Sequence, residues 1–414
     1  MERRTACRYK IIVHELVTII PTSTPATRGP LKTVWIFILV CIFLGGLTIR
    51  PTLAKDVVVG VDIAGIGRNA EEQDKLLKSL HDSGVRVIRW WIGSDASASY
   101  EFLRKAHALG IKIELTVWIV FPPNAPKRAV VADMPWMFGA NLLSTADVEL
   151  TRSTFQTQLN KLEDMGIEFV AFELGNEMNN PSFNGDFTLY PKGVCTECKT
   201  FGLDDLKHDP EGQKIAAGFR NYVKLLAAVK DVRDHSRLNR HTPVLLGGLA
   251  DEGPAMATPG SRSSRVSVPA AIEYMREFGL DDVVDGYGVH TYPWSTLKGK
   301  SEAAADIRNK LEEYVLSECK PAGSAVGKPC WITEWGLRNN FESCPVNDSD
   351  RAALVREYMV DDLRPHVQQG SVVGLLYFVW QRSVWANKEE PFSIYRCGGL
   401  TESGRLAIDA SLLQ

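Results

Sequence analysis

Residues Ile167–Glu177, IEFVAFELGNE, are the most informative part of the sequence. It is a short apolar run followed by loop residues and then a helical pattern, which is typical of a buried parallel strand. It ends on Glu177, and an ionisable side chain at such a position is costly to bury. Pro329–Glu334, PCWITE, repeats the pattern and ends on Glu334. Two carboxylates at the ends of two buried strands predict one shared site.

Strand and helix patterns alternate eight times from residue 55 onward. The predicted strands end near Asp62, Trp91, Trp118, Glu177, Gly248, His290, Glu334 and Trp380. The predicted helices cover 71–83, 100–109, 148–165, 212–232, 270–278, 302–316, 351–367 and, more weakly, 403–413. Helix C-terminal caps are expected at Gly84, Gly110, Gly166 and Gly279. Eight such units predict an α/β fold, a single (β/α)8 TIM barrel over residues 55–414.

A doubly wound open sheet is the alternative fold. Residues 65–70, GIGRNA, follow the first strand and fit a relaxed dinucleotide-binding fingerprint. That fingerprint also needs an acidic residue at the end of the second strand, to bind the ribose. Here the second strand ends with Trp90 and Trp91, and no carboxylate follows before Asp95. The barrel is therefore preferred, and no cofactor is predicted.

The N-terminal segment carries a separate signal. Val34–Ile49 is uncharged, lies between Lys32 and Arg50, and is preceded by a net positive flank. This pattern predicts a cytoplasmic N-terminus with the following residues outside the membrane. Residues 1–54 are predicted to be a cytoplasmic tail plus either a signal peptide or a signal anchor. Both remain open because residues 52–54 could be a cleavage site. We expect an exported protein, periplasmic or extracellular, that contacts the membrane only if this segment stays attached.

The charge of the predicted domain limits its partners. Residues 55–414 contain 40 basic and 48 acidic residues, and no run rich in lysine or arginine. Such an acidic domain is a poor candidate for binding nucleic acid or an anionic membrane surface. Oligomeric state does not follow from these numbers.

The cysteines fit an exported domain. Six lie after residue 54, and an even number outside the cytosol permits three disulfides with fifteen possible pairings. We favour pairs between loops expected to be neighbours, namely Cys195–Cys198, Cys319–Cys330 and Cys344–Cys397. A zinc site at Cys195 and Cys198 would need two further ligands, and His208 is the only nearby candidate. No metal is therefore predicted.

In a TIM barrel the carboxyl ends of the strands surround one mouth, where the active site is built. The residues expected there are Asp62, Arg89, Trp118, Asn176, Glu177, His290, Tyr292, Glu334, Trp335 and Trp380. Carboxylates, hydrogen-bond donors and indoles are well suited to a sugar, whose C–H faces pack on aromatic rings and whose hydroxyls need polar partners.

These motifs resemble those of clan A glycoside hydrolases, with families 5 and 39 most similar. The resemblance rests on residues 175–177 (GNE), 290–292 (HTY), 333–336 (TEWG) and Trp380. It implies a TIM barrel and retention of anomeric configuration, with Glu177 as acid/base and Glu334 as nucleophile. It further implies substrate or nucleophile contacts from Arg89, Asn176, His290, Tyr292 and Trp380. Residues 116–118 (TVW) lack the strand 3 histidine usual in family 5.

The chemistry of retention assigns the same roles. The two carboxyls should lie about 5–5.5 Å apart. Glu334 must be ionised, which Arg89 favours while Tyr292 donates a hydrogen bond, and Glu177 must begin protonated. We therefore predict hydrolysis of glycosidic bonds in an exopolysaccharide or cell-wall glycan, β-linked and cleaved internally. A non-hydrolytic carbohydrate-binding protein and a transglycosylase on the same barrel are the alternatives.

Two long connections should shape the cleft. Residues 119–146 include Pro122, Pro123 and Pro126 and are expected to form a semi-rigid wall. Residues 178–211 follow the acid/base and contain aromatic residues and two cysteines, which favour an ordered lid. An open groove would imply endo cleavage, and a capped pocket would imply exo cleavage.

Overall fold

A computed structural model of the chain describes residues 57–63, 69–93, 96–133, 139–250, 259–292, 311–339, 344–381 and 391–414. All of them belong to one compact unit, Leu53–Gln414. The predicted signal or anchor segment 34–49, the 65–68 part of the glycine motif, and Trp136, Trp294 and Trp385 lie outside the described residues.

The core of this unit is a closed barrel of eight parallel strands. In chain order the strands are β1 Val58–Asp62, β2 Val87–Trp91, β3 Lys112–Val117, β4 Phe169–Leu174, β5 Val244–Leu249, β6 Gly286–Thr291, β7 Cys330–Trp335 and β8 Val372–Tyr377. Each strand pairs with its neighbour in sequence, and β1 pairs with both β2 and β8. This closure confirms the predicted (β/α)8 barrel and excludes the open doubly wound sheet.

Helices alternate with the strands and cover the outside of the barrel. The described helices are α1 Ala70–Asp82, α2 Ala96–Ala108, α3 Val148–Asp164, α4 Leu203–His208, α5 Pro210–Asp234, α6 Val268–Arg276, α7 Leu280–Val283, α8 Ser349–Glu357, α9 Arg364–Gln369 and α10 Glu402–Ala407. A π-helical turn, Tyr358–Leu363, joins α8 to α9. The four glycines predicted to cap helices all have positive φ, as the αL cap requires.

The predicted boundaries differ from the observed ones mainly at strand ends. Strand β4 ends at Leu174 and not at Glu177, because Gly175 has a φ of 72° and turns the chain out of the strand. Strand β8 ends at Tyr377, three residues before the predicted end at Trp380. Of the predicted helix 302–316, only residues 311–314 are described as helical.

The two long connections pack against each other beside the barrel mouth. The buried Arg128 of the first donates from Nη1 to the carbonyl oxygens of Pro181 and Asn184 in the second, over 2.7 and 3.2 Å. Asn179 is fully buried and exchanges hydrogen bonds with the backbone of Ala250. Because the polar groups of Asn179 are satisfied inside the protein, the connection 178–211 is ordered, as predicted. Its action as a lid stays a prediction.

The three predicted disulfides are all present, joining Cys195 to Cys198, Cys319 to Cys330 and Cys344 to Cys397. A zinc site at Cys195 and Cys198 is thereby excluded, since a disulfide sulfur is no thiolate ligand. In the part of the chain that the structure describes, we find no helix long and apolar enough to cross a membrane.

Candidate active site

Arg89, on β2, is the centre of a buried ion cluster inside the barrel. Its guanidinium donates to Asp62 Oδ2 at 2.6 Å, to Glu173 Oε2 at 2.7 Å and to Glu334 Oε1 at 2.6 Å. It also donates to Asn176 Oδ1 at 2.9 Å. Its side chain is 4% exposed, so these bonds form away from water and depend on one another.

The register of the sheet explains why these groups meet. Arg89 lies opposite Asp62 on β1 and Glu114 on β3, and residues side by side on neighbouring strands project to the same face. The carboxylates would repel one another without a cation. Burial alone would lower the pKa of Arg89, but Glu173, Glu334 and the other surrounding carboxylates raise it well above its ordinary value. Arg89 is therefore a permanent cation beneath the mouth.

Glu334, at the mouth end of β7, is held in its ionised form. One carboxylate oxygen accepts from Arg89 and the other accepts from the Tyr292 hydroxyl. Burial alone would raise the pKa of Glu334, but the positive charges of His290 and Arg89 outweigh it and hold the pKa below the ordinary value. Burial and the charge of Glu334 raise the pKa of Tyr292, which keeps its proton and donates. Such a carboxylate is suited to act as a nucleophile.

Glu177 lies in the turn that follows β4 and has a φ of 46°, the left-handed region that residues other than glycine avoid. Such a conformation costs roughly 1–3 kcal/mol and persists where the surroundings fix it. The Glu177 backbone N–H donates to Gly248 O over 2.8 Å. Asn180 donates from Nδ2 to Glu177 Oε2 over 2.7 Å. The backbone and the side chain of Glu177 are thus both held in place.

His290, on β6, stands between the two glutamates. Its Nδ1 lies 2.9 Å from Glu177 Oε1 and 3.5 Å from Glu334 Oε2. Burial lowers the pKa of His290, but Glu334 and Glu177 outweigh it and the pKa is raised. Gly248 makes room for the ring, because a Cβ at that position would lie 2.1 Å from His290 Nε2. A glycine is therefore required behind this histidine.

The catalytic pair predicted from sequence is close together in the structure. One carboxylate oxygen of Glu177, one of Glu334 and a ring nitrogen of His290 all lie within 4.8 Å of one another. These atoms could also bind a metal ion. However, Glu334 already accepts from Arg89 and Tyr292, and a metal ion would lie close to the Arg89 cation. The surroundings favour proton transfer and nucleophilic attack over metal binding.

Two further carboxyls lie buried in the same cluster. Glu173 accepts from Thr333 and from the Gly248 N–H in addition to Arg89, which indicates a structural role. Glu114 is 3.5 Å from Arg89 Nε, and neither of its oxygens makes a hydrogen bond to the described residues. Burial, followed by the charge of Glu173, raises the pKa of Glu114 well above its ordinary value. The sequence analysis missed Glu114.

Two predicted tryptophans are not at the site. Trp335 and Trp380 are both fully buried. Trp335 follows Glu334 directly and therefore projects to the other side of β7, where it packs on Tyr358 and Tyr377. Trp380 stacks on Tyr395, and its indole N–H donates to Ser79 on α1. The prediction that they bind substrate is corrected, since neither ring offers a free face.

Phe378 is an aromatic residue at the mouth that the sequence analysis missed. It directly follows β8, is half-buried, and lies edge-on to Tyr292 with ring centroids 6.0 Å apart. Phe392 lies edge-on to both rings, so these three side chains form an aromatic cluster beside Glu334. Its signal in the sequence was the run VGLLYFVW, in which we placed the strand end at Trp380. Trp118, by contrast, is at the rim and 42% exposed.

The sequence matches no protein-family model and no curated protein. Among solved structures it resembles a fungal β-1,4-galactanase at 16% identity, with a TM-score of 0.48, over 84% of this chain and 98% of that one. It also resembles Saccharomyces cerevisiae Gas2p in complex with laminaritriose and laminaritetraose, at 12% identity and a TM-score of 0.43. That match covers 86% of this chain and 64% of Gas2p. The barrel itself is established by the strand pairing.

Proposed function

We propose that this chain is a retaining glycoside hydrolase that acts by double displacement. The observation that carries the proposal is the pair of carboxylates, Glu177 and Glu334, with oxygens within 4.8 Å of each other at the mouth of a TIM barrel. Retaining enzymes have carboxyl groups about 5–5.5 Å apart, whereas inverting enzymes keep about 6.5–9.5 Å between them to admit a water molecule. An upper limit of 4.8 Å between these two oxygens supports the shorter spacing, and therefore retention.

The different surroundings of the two carboxyls support different roles. Glu334 receives hydrogen bonds from Arg89 and Tyr292 and is kept ionised, as attack on the anomeric carbon requires. Glu177 contacts His290 and Asn180, and its side chain is 18% exposed. In the first step Glu177 gives its proton to the leaving oxygen as Glu334 forms the glycosyl–enzyme bond. In the second step Glu177 takes a proton from water, which displaces the sugar from Glu334.

The proposed substrate is a β-linked polysaccharide, an exopolysaccharide or cell-wall glycan, cleaved internally outside the cytoplasm. Three disulfides support an oxidising compartment. The resembling structures include a β-1,4-galactanase and a protein that binds laminarin oligosaccharides, so galactan and β-1,3-glucan belong among the candidate substrates. The chemistry itself requires two carboxyls and water.

The test is release of reducing ends from galactan, β-1,3-glucan, β-1,4-glucan, mannan, xylan and bacterial exopolysaccharides. The wild type is compared with Glu334→Gln, which keeps the shape of the side chain and removes the nucleophile. We expect release by the wild type alone, with circular dichroism showing that the variant is folded. Residual activity of Glu334→Gln above a tenth of the wild type would contradict the role. Products longer than the substrate at high oligosaccharide concentration would instead favour transglycosylation.

A further inference from the structure

We infer that Trp118 forms a sugar-binding shelf at the rim of the barrel mouth, which binds a sugar unit other than the one attacked by Glu334. The inference rests on the proposed function and extends it to the length of the substrate. It concerns the described part of the mouth near β2 and β3, where an indole lies exposed on a rigid support.

Trp118 presents a large apolar ring to solvent at the mouth of the barrel. It is 42% exposed directly after the end of β3, where the surrounding backbone is fixed by the barrel. Its position follows Glu114 and Thr116 in alternation along the strand, on the side that faces the barrel interior. Exposure alone does not mark a binding surface, but Trp118 is exposed at the same end of the barrel as Glu177 and Glu334, where its ring can contact a bound glycan.

The ring is also braced from behind. Trp91 lies edge-on to Trp118, with ring centroids 6.3 Å apart and planes at 80°. Trp91 stacks on Trp90, which in turn packs on Phe102 of α2. A ring held in this way loses little conformational freedom when a ligand binds, which favours affinity. The C–H face of a pyranose is the matching partner for such a ring.

The order of the strands places the shelf away from the bond that is cleaved. In a barrel of eight strands, β3 lies opposite β7. Trp118 at the end of β3 therefore faces Glu334 across the mouth, with the Arg89 cluster between them. Because the two residues belong to opposite strands, we assign Trp118 to a sugar unit other than the one whose anomeric carbon is at Glu334. Contact with two units of one chain favours an extended glycan over a monosaccharide.

The test compares chain lengths. Activity is measured as kcat/KM on the hexasaccharides of β-1,3-glucan, β-1,4-glucan, galactan, mannan and xylan, and on 4-nitrophenyl β-glycosides of the same sugars. We expect Trp118→Ala to lower kcat/KM at least tenfold on the hexasaccharide that the wild type cleaves. On the aryl glycoside, the loss of kcat/KM should be at least fivefold smaller. Trp118→Phe, which keeps a ring, should recover most of the difference. Equal losses on both substrates, or no loss on either, would overturn the inference.

The matched control is Phe278→Ala. Phe278 is similarly exposed, at 45%, but it follows helix α6 and so lies at the end of the barrel opposite the mouth. It should leave both activities unchanged.

Calorimetry with Glu334→Gln separates the shelf from the proposed chemistry. One possible result is that the wild type cleaves no glycan, that Glu334→Gln binds a hexasaccharide, and that adding Trp118→Ala weakens this binding at least tenfold. This result would support the shelf and contradict the proposed hydrolysis. If none of the hexasaccharides binds, or if Trp118→Ala leaves binding unchanged, the shelf is wrong.

Discussion

Arg89 and Glu334, 245 residues apart in the chain, are joined by a buried 2.6 Å hydrogen bond across the inside of the barrel. The Arg89 guanidinium is shared among several carboxylates, so a change in the charge of any of them should alter the pKa of Glu334. The site is therefore best probed by changing one charge at a time and measuring rates, pH profiles and stability separately.

Replacing the acid/base should affect substrates according to their leaving group. Glu177→Gln cannot protonate the leaving oxygen, so we expect kcat/KM to fall by 10²–10⁴-fold, the usual contribution of general acid catalysis, on substrates with a sugar leaving group. An activated aryl glycoside needs little protonation and should lose far less in the first step. The measurement is kcat/KM on both substrates. Equal losses would argue against the acid role.

Replacing His290 should move the acidic limb of the pH profile. Burial raises the pKa of Glu334, and the positive charge of His290 is the largest of the effects that lower it. In His290→Gln that charge is absent, so the pKa of Glu334 should rise and the acidic limb of kcat/KM should shift to higher pH. The control is His208→Gln, because His208 is exposed and pairs only with Asp204 among the described residues. An acidic limb that does not move would contradict this electrostatic role.

Glu114→Gln should stabilise the protein increasingly as pH rises. The folded-state pKa of Glu114 is raised above its unfolded value of about 4.3. Between the unfolded-state and folded-state pKa values, the folded protein holds a proton that the unfolded chain has lost. As pH rises through this range, the free energy of unfolding of the wild type therefore falls by up to about 1.4 kcal/mol per pH unit. Glutamine has no proton to lose. The measurement is the free energy of unfolding in urea from pH 5 to pH 8.

Glu163→Gln is the control, because the pKa of Glu163 is shifted in the opposite direction from that of Glu114. Burial alone would raise the pKa of Glu163, but the hydrogen bonds that it accepts from Asn239 and from neighbouring backbone N–H groups lower it. Its contribution to stability is complete above pH 5 and is lost as pH falls through the folded-state pKa. Glu163→Gln should therefore be less stable by a constant amount from pH 5 to pH 8. A constant loss in Glu114→Gln as well would show that Glu114 is ionised.

Much of the fold, and the closeness of Glu177 to Glu334, could be predicted from sequence for local reasons. Apolar runs fix the strands, and parallel strands of one barrel present their carboxyl ends at one mouth, which brings Glu177 and Glu334 together. The errors arose where tertiary contacts, and not the local sequence pattern, determine where a side chain lies. Trp335 is buried because side chains alternate along β7, which puts it on the other side from Glu334. Trp380 lies beyond the end of β8 and is buried against Tyr395, whereas Phe378 directly follows β8 and is at the mouth. Glu114 did have a signal, a carboxylate within the apolar run 111–118, but its partner became evident only from the register with Arg89.

The disulfides should contribute unequally to stability. Cys344–Cys397 closes a loop with a sequence separation of 53, whereas Cys195–Cys198 has a separation of 3. Loop-closure entropy predicts a stabilisation of about 4 kcal/mol for the first and about 2 kcal/mol for the second. The paired serine variants, Cys344→Ser with Cys397→Ser and Cys195→Ser with Cys198→Ser, can be compared by urea unfolding. A larger loss from the shorter loop would contradict the prediction.

The most direct test of the Glu177–Glu334 pair is the configuration of the first product. Proton NMR during the first minutes of hydrolysis, before mutarotation, reports the anomer released from the glycan that the wild type cleaves. With carboxylate oxygens within 4.8 Å of each other, we predict the same configuration as the bond that was broken, a β product from a β linkage. Initial release of the opposite anomer would show single displacement and contradict Glu334 as the nucleophile.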